Sequence, residues 1–401
     1  MRPESPGFLV LLAMLVAIGP LSTDLYLPSL PTLVTVFDAS ISEVQLTLSV
    51  FLFGFAGCQL IYGPLSDRFG RRPVLLVGLS IFVVASAACA LATSIDLLIA
   101  LRLMQAIGAC SAGVVSRAIV RDLFERQQAA RMLAYSGALM GLAPAVAPLI
   151  GAYLLVWFGW EVNFFVVALW GGALIVIVSI ALPESNTSPD SFALTPSRML
   201  ANVRLLLGNR TYTGYALTNS AVFSGLFAFI SGSSFVLIDV MGIPPVEFGY
   251  YFALGVFGYM LGTGVSGRIG GRVDVDMLIR AAAVLAALSG CTMAVLALIG
   301  IDSVWAVVGP MVAYMIAFGT IMPQSTAGAL APFSGIAGLA SALLGFMQMT
   351  LASLVGVAVG VFHNDTSLPL ALIIAGTGLS TLVAHTCVSR LPTLSKQETA
   401  K

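Results

Sequence analysis

Stretches of about 20 residues with almost no charge recur along the whole chain, and this constrains its fold more than any other feature. They run over approximately 8–30, 44–64, 74–94, 97–116, 132–156 and 161–182, and again over 212–238, 247–267, 277–300, 303–325, 336–361 and 368–389. In hydrocarbon such a stretch has to satisfy its backbone internally, so each reads as a membrane-spanning helix. Composition leaves little room for a soluble reading: 59% of the 401 residues are apolar or aromatic and 9% are charged, against roughly 25% charged in soluble domains. The pattern predicts an all-α integral membrane protein with twelve transmembrane helices in two six-helix bundles.

The first window continues through Asp24-Leu25-Tyr26-Leu27-Pro28 with no small-x-small cleavage site behind it. It therefore reads as a retained helix rather than a secretory signal. The five cysteines, Cys58, Cys89, Cys110, Cys291 and Cys387, are odd in number and fall inside expected spans. They offer neither a disulfide framework nor metal-ligand spacing, and no metal is expected.

Net charge is zero, but the charges are sorted. With loops assigned alternately to two sides, the side of the N-terminus holds Arg2, Arg68, Arg71, Arg72, Arg117, Arg121, Arg126, Arg131, Arg198, Arg204, Arg210, Arg268, Arg272, Arg280, Arg390, Lys396 and Lys401. The other side holds Asp38, Glu43, Asp96, Glu161, Asp239, Glu247, Asp302 and Asp365, and no basic residue. By the positive-inside rule both termini are expected in the cytoplasm. Arg102, inside the fourth span, is the exception.

The longest polar stretch, "LPESNTSPDSFALTPSRMLANVRLLLGNR", separates spans six and seven. It divides the chain into an N-terminal bundle (1–182), a cytoplasmic linker (183–210) with a short surface helix over about 192–207, and a C-terminal bundle (211–401). The halves repeat one loop: "SDRFGRR" matches "SGRIGGR" at Ser66 and Ser266, Arg68 and Arg268, Gly70 and Gly270, and Arg72 and Arg272. Parallel internal repeats of this kind are one plan of secondary transporters, with the substrate site at the midplane between them.

In "GPLSDRFGRRP" the glycines permit a tight turn, Asp67 can cap a helix or pair with an arginine, and the arginines hold the loop at the surface. Taken alone, this is equally a generic positively charged turn. Its form and place resemble the loop signature of the major facilitator superfamily, in which Gly63, Asp67, Arg68, Gly70, Arg71 and Arg72 would form the gating loop. "LIALRLMQAIGA", with Arg102, Gln105 and Gly108, resembles that superfamily's span-four motif. "APAVAPLIGA", with Pro144, Pro148 and Gly151, resembles its exporter motif in span five, with Ala143, Ala147 and Ala152 where glycine is often found. Together with "PLSTDLYLPSLP", "RAIVRDLF" and "PQSTAGALAPFSGIAGLASALLGFMQM", the resemblance covers essentially the whole chain and points to the Bcr/CflA branch of twelve-span drug:proton antiporters. Glu161 departs from it, standing where that branch usually has arginine.

Asp24 is the acid of the first apolar run. If that span ends near Pro31, Asp24 lies about 10 Å deep, and Arg102 lies about 9 Å deep if its span begins near Asp96. Charges in hydrocarbon cost roughly 2.5–3.5 kcal/mol on insertion scales and normally face a bundle interior or water. Two at one level can offset each other, which makes Asp24 and Arg102 the candidate proton-coupling pair. The alternatives are a wet helix cap for Asp24, with Pro28 and Pro31 ending the helix beside it, and a carbonyl-binding structural role for Arg102.

Candidate cavity residues are Tyr26, Gln45 and Gln105 from the first half and Asn219, Phe223, Phe227 and Gln348 from the second. Aromatic rings with a few amides suit amphiphilic ligands, and a buried amide needs a partner. A polytopic enzyme fits poorly, because His363 and His385 fall toward opposite sides; no Walker loop supports ATP-driven transport. A receptor would leave the repeated loop and Asp24 unexplained, and a metabolite uptake symporter remains the competing transporter. The resemblance implies efflux of chloramphenicol-like, bicyclomycin-like or sulfonamide-like drugs from a bacterial inner membrane. It further implies a monomer in the lipid bilayer that exchanges drug for protons, uses no cofactor beyond the proton gradient, and binds no nucleic acid.

Overall fold

The computed structural model describes residues 5–189, 195–269 and 272–389. Among them the secondary structure is helical throughout: α1 (Pro6–Asp24), α2 (Leu30–Phe37), α3 (Ile41–Phe69), α4 (Arg71–Ala90), α5 (Ile95–Leu123), α6 (Arg126–Phe158), α7 (Glu161–Ala181), α8 (Pro196–Gly208), α9 (Arg210–Ser234), α10 (Pro245–Ile269), α11 (Val275–Leu298), α12 (Val304–Leu330), α13 (Ala337–Val361) and α14 (Leu368–Ser389). A 3-10 turn, Leu27–Ser29, joins α1 to α2 as one span, and a π-helical turn, Phe235–Val240, extends α9. Excluding the short α8, this gives twelve spans in two sets of six.

Ten described spans are long and apolar enough to cross a membrane by composition. The other two are α6, whose apolar part is Ala143–Phe158, and α10, diluted by glycine and tyrosine. The helices outrun the apolar windows because polar caps start them early. Ser40 and Glu43 form a capping box before α3, with Glu43 accepting from the Ser40 amide at 2.7 Å, and Ser94 caps α5. The later ends reach into the arginine-rich loops, so Arg117 and Arg121 belong to the last turns of α5 rather than to a loop.

The linker helix is α8, Pro196–Gly208; residue 192, where it was expected to start, lies outside the described residues. One further expectation is corrected. Pro28 and Pro31 do not end the first span: they break it, and it resumes to Phe37. Gly270 of the repeated loop, and Arg2, Arg390, Lys396 and Lys401, lie outside the described residues.

One end of the molecule carries Asp38, Asp96 and Asp302 and the other Arg68, Arg71 and Arg121; these are called below the acidic and arginine-rich ends. The two sets of six meet where α3 packs along α13 and α6 along α10. Among the described residues three side-chain hydrogen bonds cross this seam. Gln45 Nε2 donates to the Ser231 carbonyl at 3.1 Å, Ser353 Oγ to the Ser49 carbonyl at 2.8 Å, and the Tyr153 and Tyr250 hydroxyls meet at 3.4 Å. All three fall in the acidic-end half, so that half is the one latched shut.

Candidate functional site

Proline chemistry builds the centre of the first span. Pro28 has no amide to give to the Asp24 carbonyl, and Pro31 none to that of Leu27, so the α-helical ladder lapses there. The chain crosses the gap with a tighter bond, the Ser29 amide to the Tyr26 carbonyl at 2.9 Å. Asp24 sits at this break and is 3% exposed. Neighbours clamp the break from two sides. Gly151 of α6 presses on it so closely that a Cβ there would lie 1.7 Å from the Leu25 carbonyl oxygen. Asn163 of α7 donates to Ser29 Oγ at 3.0 Å. Within α6, Pro144 and Pro148 remove two further ladder bonds, and Pro148 is buried beside Gly151.

Arg102 lies beside the same break, fully buried. Its Nη1 donates to the Ser22 carbonyl at 2.8 Å and to Gln105 Oε1 at 2.5 Å, and its Nε to the Thr47 carbonyl at 3.4 Å. The guanidinium carbon is 4.4 Å from the ring centroid of Phe51, 4.7 Å from that of Tyr26 and 5.8 Å from that of Phe164. Three aromatic faces and three oxygens thus hold the cation in place of an anion, and Nη2 is left without a partner. Gln105 passes the network on to Ser86 Oγ at 2.8 Å, and the Tyr26 hydroxyl meets Thr47 Oγ1.

The expected ion pair is therefore not formed. Arg102 reaches the backbone of Ser22, level with Asp24, while among the described residues the Asp24 carboxylate accepts one hydrogen bond, from Thr23 Oγ1 at 2.9 Å. Of the two alternatives, the wet cap does not describe Asp24, and carbonyl binding does describe Arg102.

The other candidates divide by partner. Tyr26 and Gln105 join Arg102. Gln45 is spent on the inter-bundle bond to Ser231, with Oε1 unpaired. Asn219 is held by α12, donating to Ser325 Oγ at 2.9 Å and Thr326 Oγ1 at 3.1 Å. Phe223 packs with Phe318 at a centroid distance of 6.1 Å, and Phe227 is buried against Gly356 of α13. Gln348 is buried and makes no hydrogen bond among the described residues. Sequence reasoning missed Phe51, Phe164, Thr47 and Ser86, whose residue types do not mark them out among so many like them.

At the arginine-rich end Arg71 is the hub of the loop motif. It pairs with Asp67 at 2.5 Å and holds Asp122 of α5 with two bonds, 2.8 and 3.3 Å. Glu184, beyond α7, accepts from the Arg71 and Arg72 amides at 2.9 and 3.0 Å and so caps α4. Gly70 takes φ +96°, a conformation open to glycine. Arg68 is exposed over the Phe69 ring, and a Cβ at Gly63 would touch nothing.

Two helical bundles, a latched seam and charged side chains buried beside a broken helix are the build of a multi-pass membrane transporter. The family model described as Major Facilitator Superfamily matches residues 12–386, and the chain belongs to that family. It is 31% identical over 352 residues to multidrug resistance protein D of Escherichia coli, covering 86% of each chain. It is 28% identical over 379 residues to a bicyclomycin resistance protein homolog of Haemophilus influenzae, covering 94% of this chain and 95% of that one. Its fold is similar to the crystal structure of a bacterial homolog of the human lysosomal transporter Spinster, with TM-score 0.73, 16% identity and coverage of 97% and 95%.

Proposed function

We propose that this chain expels small amphiphilic drugs, of the chloramphenicol, bicyclomycin or sulfonamide kind, in exchange for protons. It acts as a monomer in a bacterial inner membrane with both termini in the cytoplasm, and the proton gradient is its only driving force. The names of its relatives support drug export, and the arginine-rich loops support the orientation.

The observation that carries the coupling is Asp24, buried at the break of α1 with one neutral hydrogen-bond donor and no cation among the described residues. A bare carboxylate there is costly. A proton removes that cost when the cleft faces outward, and water in an inward-facing cleft takes the proton back. One elementary charge crossing 100 mV carries about 2.3 kcal/mol, a roughly fifty-fold gradient per proton. Gln105 and Tyr26, fixed by Arg102, and Gln348, whose amide is unengaged, are the polar anchors nearest to hand for a ligand. A resistance panel of chloramphenicol, bicyclomycin and a sulfonamide in an efflux-deficient bacterial host tests the reading. Raised resistance to at least one drug, abolished by Asp24→Asn, is expected; no change in any of them refutes export of this class.

A further inference from the structure

Arg117 and Arg121 stand one turn apart near the end of α5, a spacing that puts both on one face. Arg121 closes on the second bundle: a Cβ at Gly338 of α13 would lie 2.9 Å from its Nη1. Arg117 shares its face with fully buried Cys110, two turns deeper. Both arginines are nonetheless exposed. With Arg121 against Gly338 of the second bundle, the exposed pair stands at the arginine-rich edge of the seam, opposite the latched half.

Neither guanidinium has a hydrogen bond or ion pair among the described residues, whereas the neighbouring acids are engaged: Asp67 and Asp122 by Arg71, Glu184 by the Arg71 and Arg72 amides. Glu125 follows, exposed, beyond the end of α5. Across the seam α13 begins at Ala337, and the positive end of its dipole adds to the same field. Like charges one turn apart repel, and an anion between them relieves the repulsion. A guanidinium fork is suited to the planar or tetrahedral oxygens of carboxylate, sulfonate or phosphate.

We propose that Arg117 and Arg121 form an anion-recognition site at the arginine-rich edge of the inter-bundle seam, which selects amphiphiles bearing a carboxylate, sulfonate or phosphate group. The proposal rests on the export reading for direction and adds anionic amphiphiles to the drugs named there. A positively charged surface anchor would face headgroups; Arg121 instead abuts Gly338 of the second bundle.

Two dyes with one ring system separate the possibilities: 8-anilinonaphthalene-1-sulfonate, an anion, and N-phenyl-1-naphthylamine, its uncharged counterpart. Binding of each to the full-length protein in neutral phosphatidylcholine nanodiscs is measured by fluorescence without a proton gradient, so the result stands apart from whether the chain exports drugs. The expected result is a roughly tenfold or greater loss of sulfonate-dye affinity in Arg117→Gln/Arg121→Gln, partial retention in Arg117→Lys/Arg121→Lys, and unchanged binding of the neutral dye. Equal losses for both dyes, or no loss for the anion, overturn the site. So does loss of sulfonate binding to the wild type when phosphatidylglycerol is added, which would assign the pair to lipid headgroups.

Discussion

Arg102 donates to the Ser22 carbonyl at 2.8 Å and leaves Asp24, two residues further on, without a cation among the described residues. The two charges are neighbours with separate partners, the arginine held by aromatic faces and carbonyls and the aspartate by the Thr23 hydroxyl. This fits the proposed division of roles, in which Arg102 fixes the break in the first span and Asp24 carries the exchangeable charge.

If Arg102 is a structural clamp, Arg102→Ala leaves the Ser22 and Thr47 carbonyls and Gln105 buried with fewer partners. A stability loss of roughly 3 kcal/mol is expected, since hydrogen bonds to charged groups contribute about 1.5–3 kcal/mol. Thermal melting of the detergent-solubilised protein, followed by size-exclusion chromatography, checks it. Arg102→Lys, which keeps the charge but loses the fork, should recover part of the loss.

Gly151 has no space for a side chain, whereas a Cβ at Gly172, on the neighbouring helix, meets nothing within 4 Å. Gly151→Val should therefore abolish the folded, transport-competent form, and Gly172→Ala should be tolerated. Expression yield and monodispersity of the two variants give the comparison.

The acidic-end seam is held in part by the bond from Gln45 to Ser231. Removing it in Gln45→Leu should shift the population toward opening at that end by about two- to tenfold, from a net hydrogen-bond value near 0.5–1.5 kcal/mol. A cysteine introduced at Ser353, whose hydroxyl bonds the Ser49 carbonyl across the seam, would then react faster with a membrane-impermeant maleimide added from the acidic side. An unchanged rate would remove Gln45 from the latch.

Arg71 grips Asp122 with two nitrogens while also pairing with Asp67. Lysine offers one point charge, so Arg71→Lys should lose the two-point grip and slow transport while leaving drug binding intact. Initial transport rates and equilibrium binding of the same drug separate the two effects.

Much of this architecture can be read directly from the chain, because in a membrane both backbone satisfaction and charge cost act on every residue of a span. The apolar windows locate the helices, and the "GPLSDRFGRRP" loop locates the Arg71 hub. The break after Asp24 is not legible in the sequence for a physical reason: Pro28 and Pro31 read as a helix end, but inside a bundle Gly151 and Asn163 supply the packing and hydrogen bonds that let the span resume. The pairing of Asp24 with Arg102 failed because depth along two helices does not fix azimuth, and because Phe51, Tyr26 and Phe164 can hold a cation as an acid would. The Asp122 and Glu184 partners of the loop motif are far from it in sequence, and local pattern cannot supply them.

The most direct test concerns Asp24 itself. Proteoliposomes holding the purified protein are given a pH gradient, and uptake of a drug found in the resistance panel is followed with and without that gradient for wild type and Asp24→Asn. Loss of gradient-driven accumulation in the variant, with drug exchange at equal pH retained, is the expected outcome. Full gradient-driven accumulation by Asp24→Asn would place the coupling proton elsewhere.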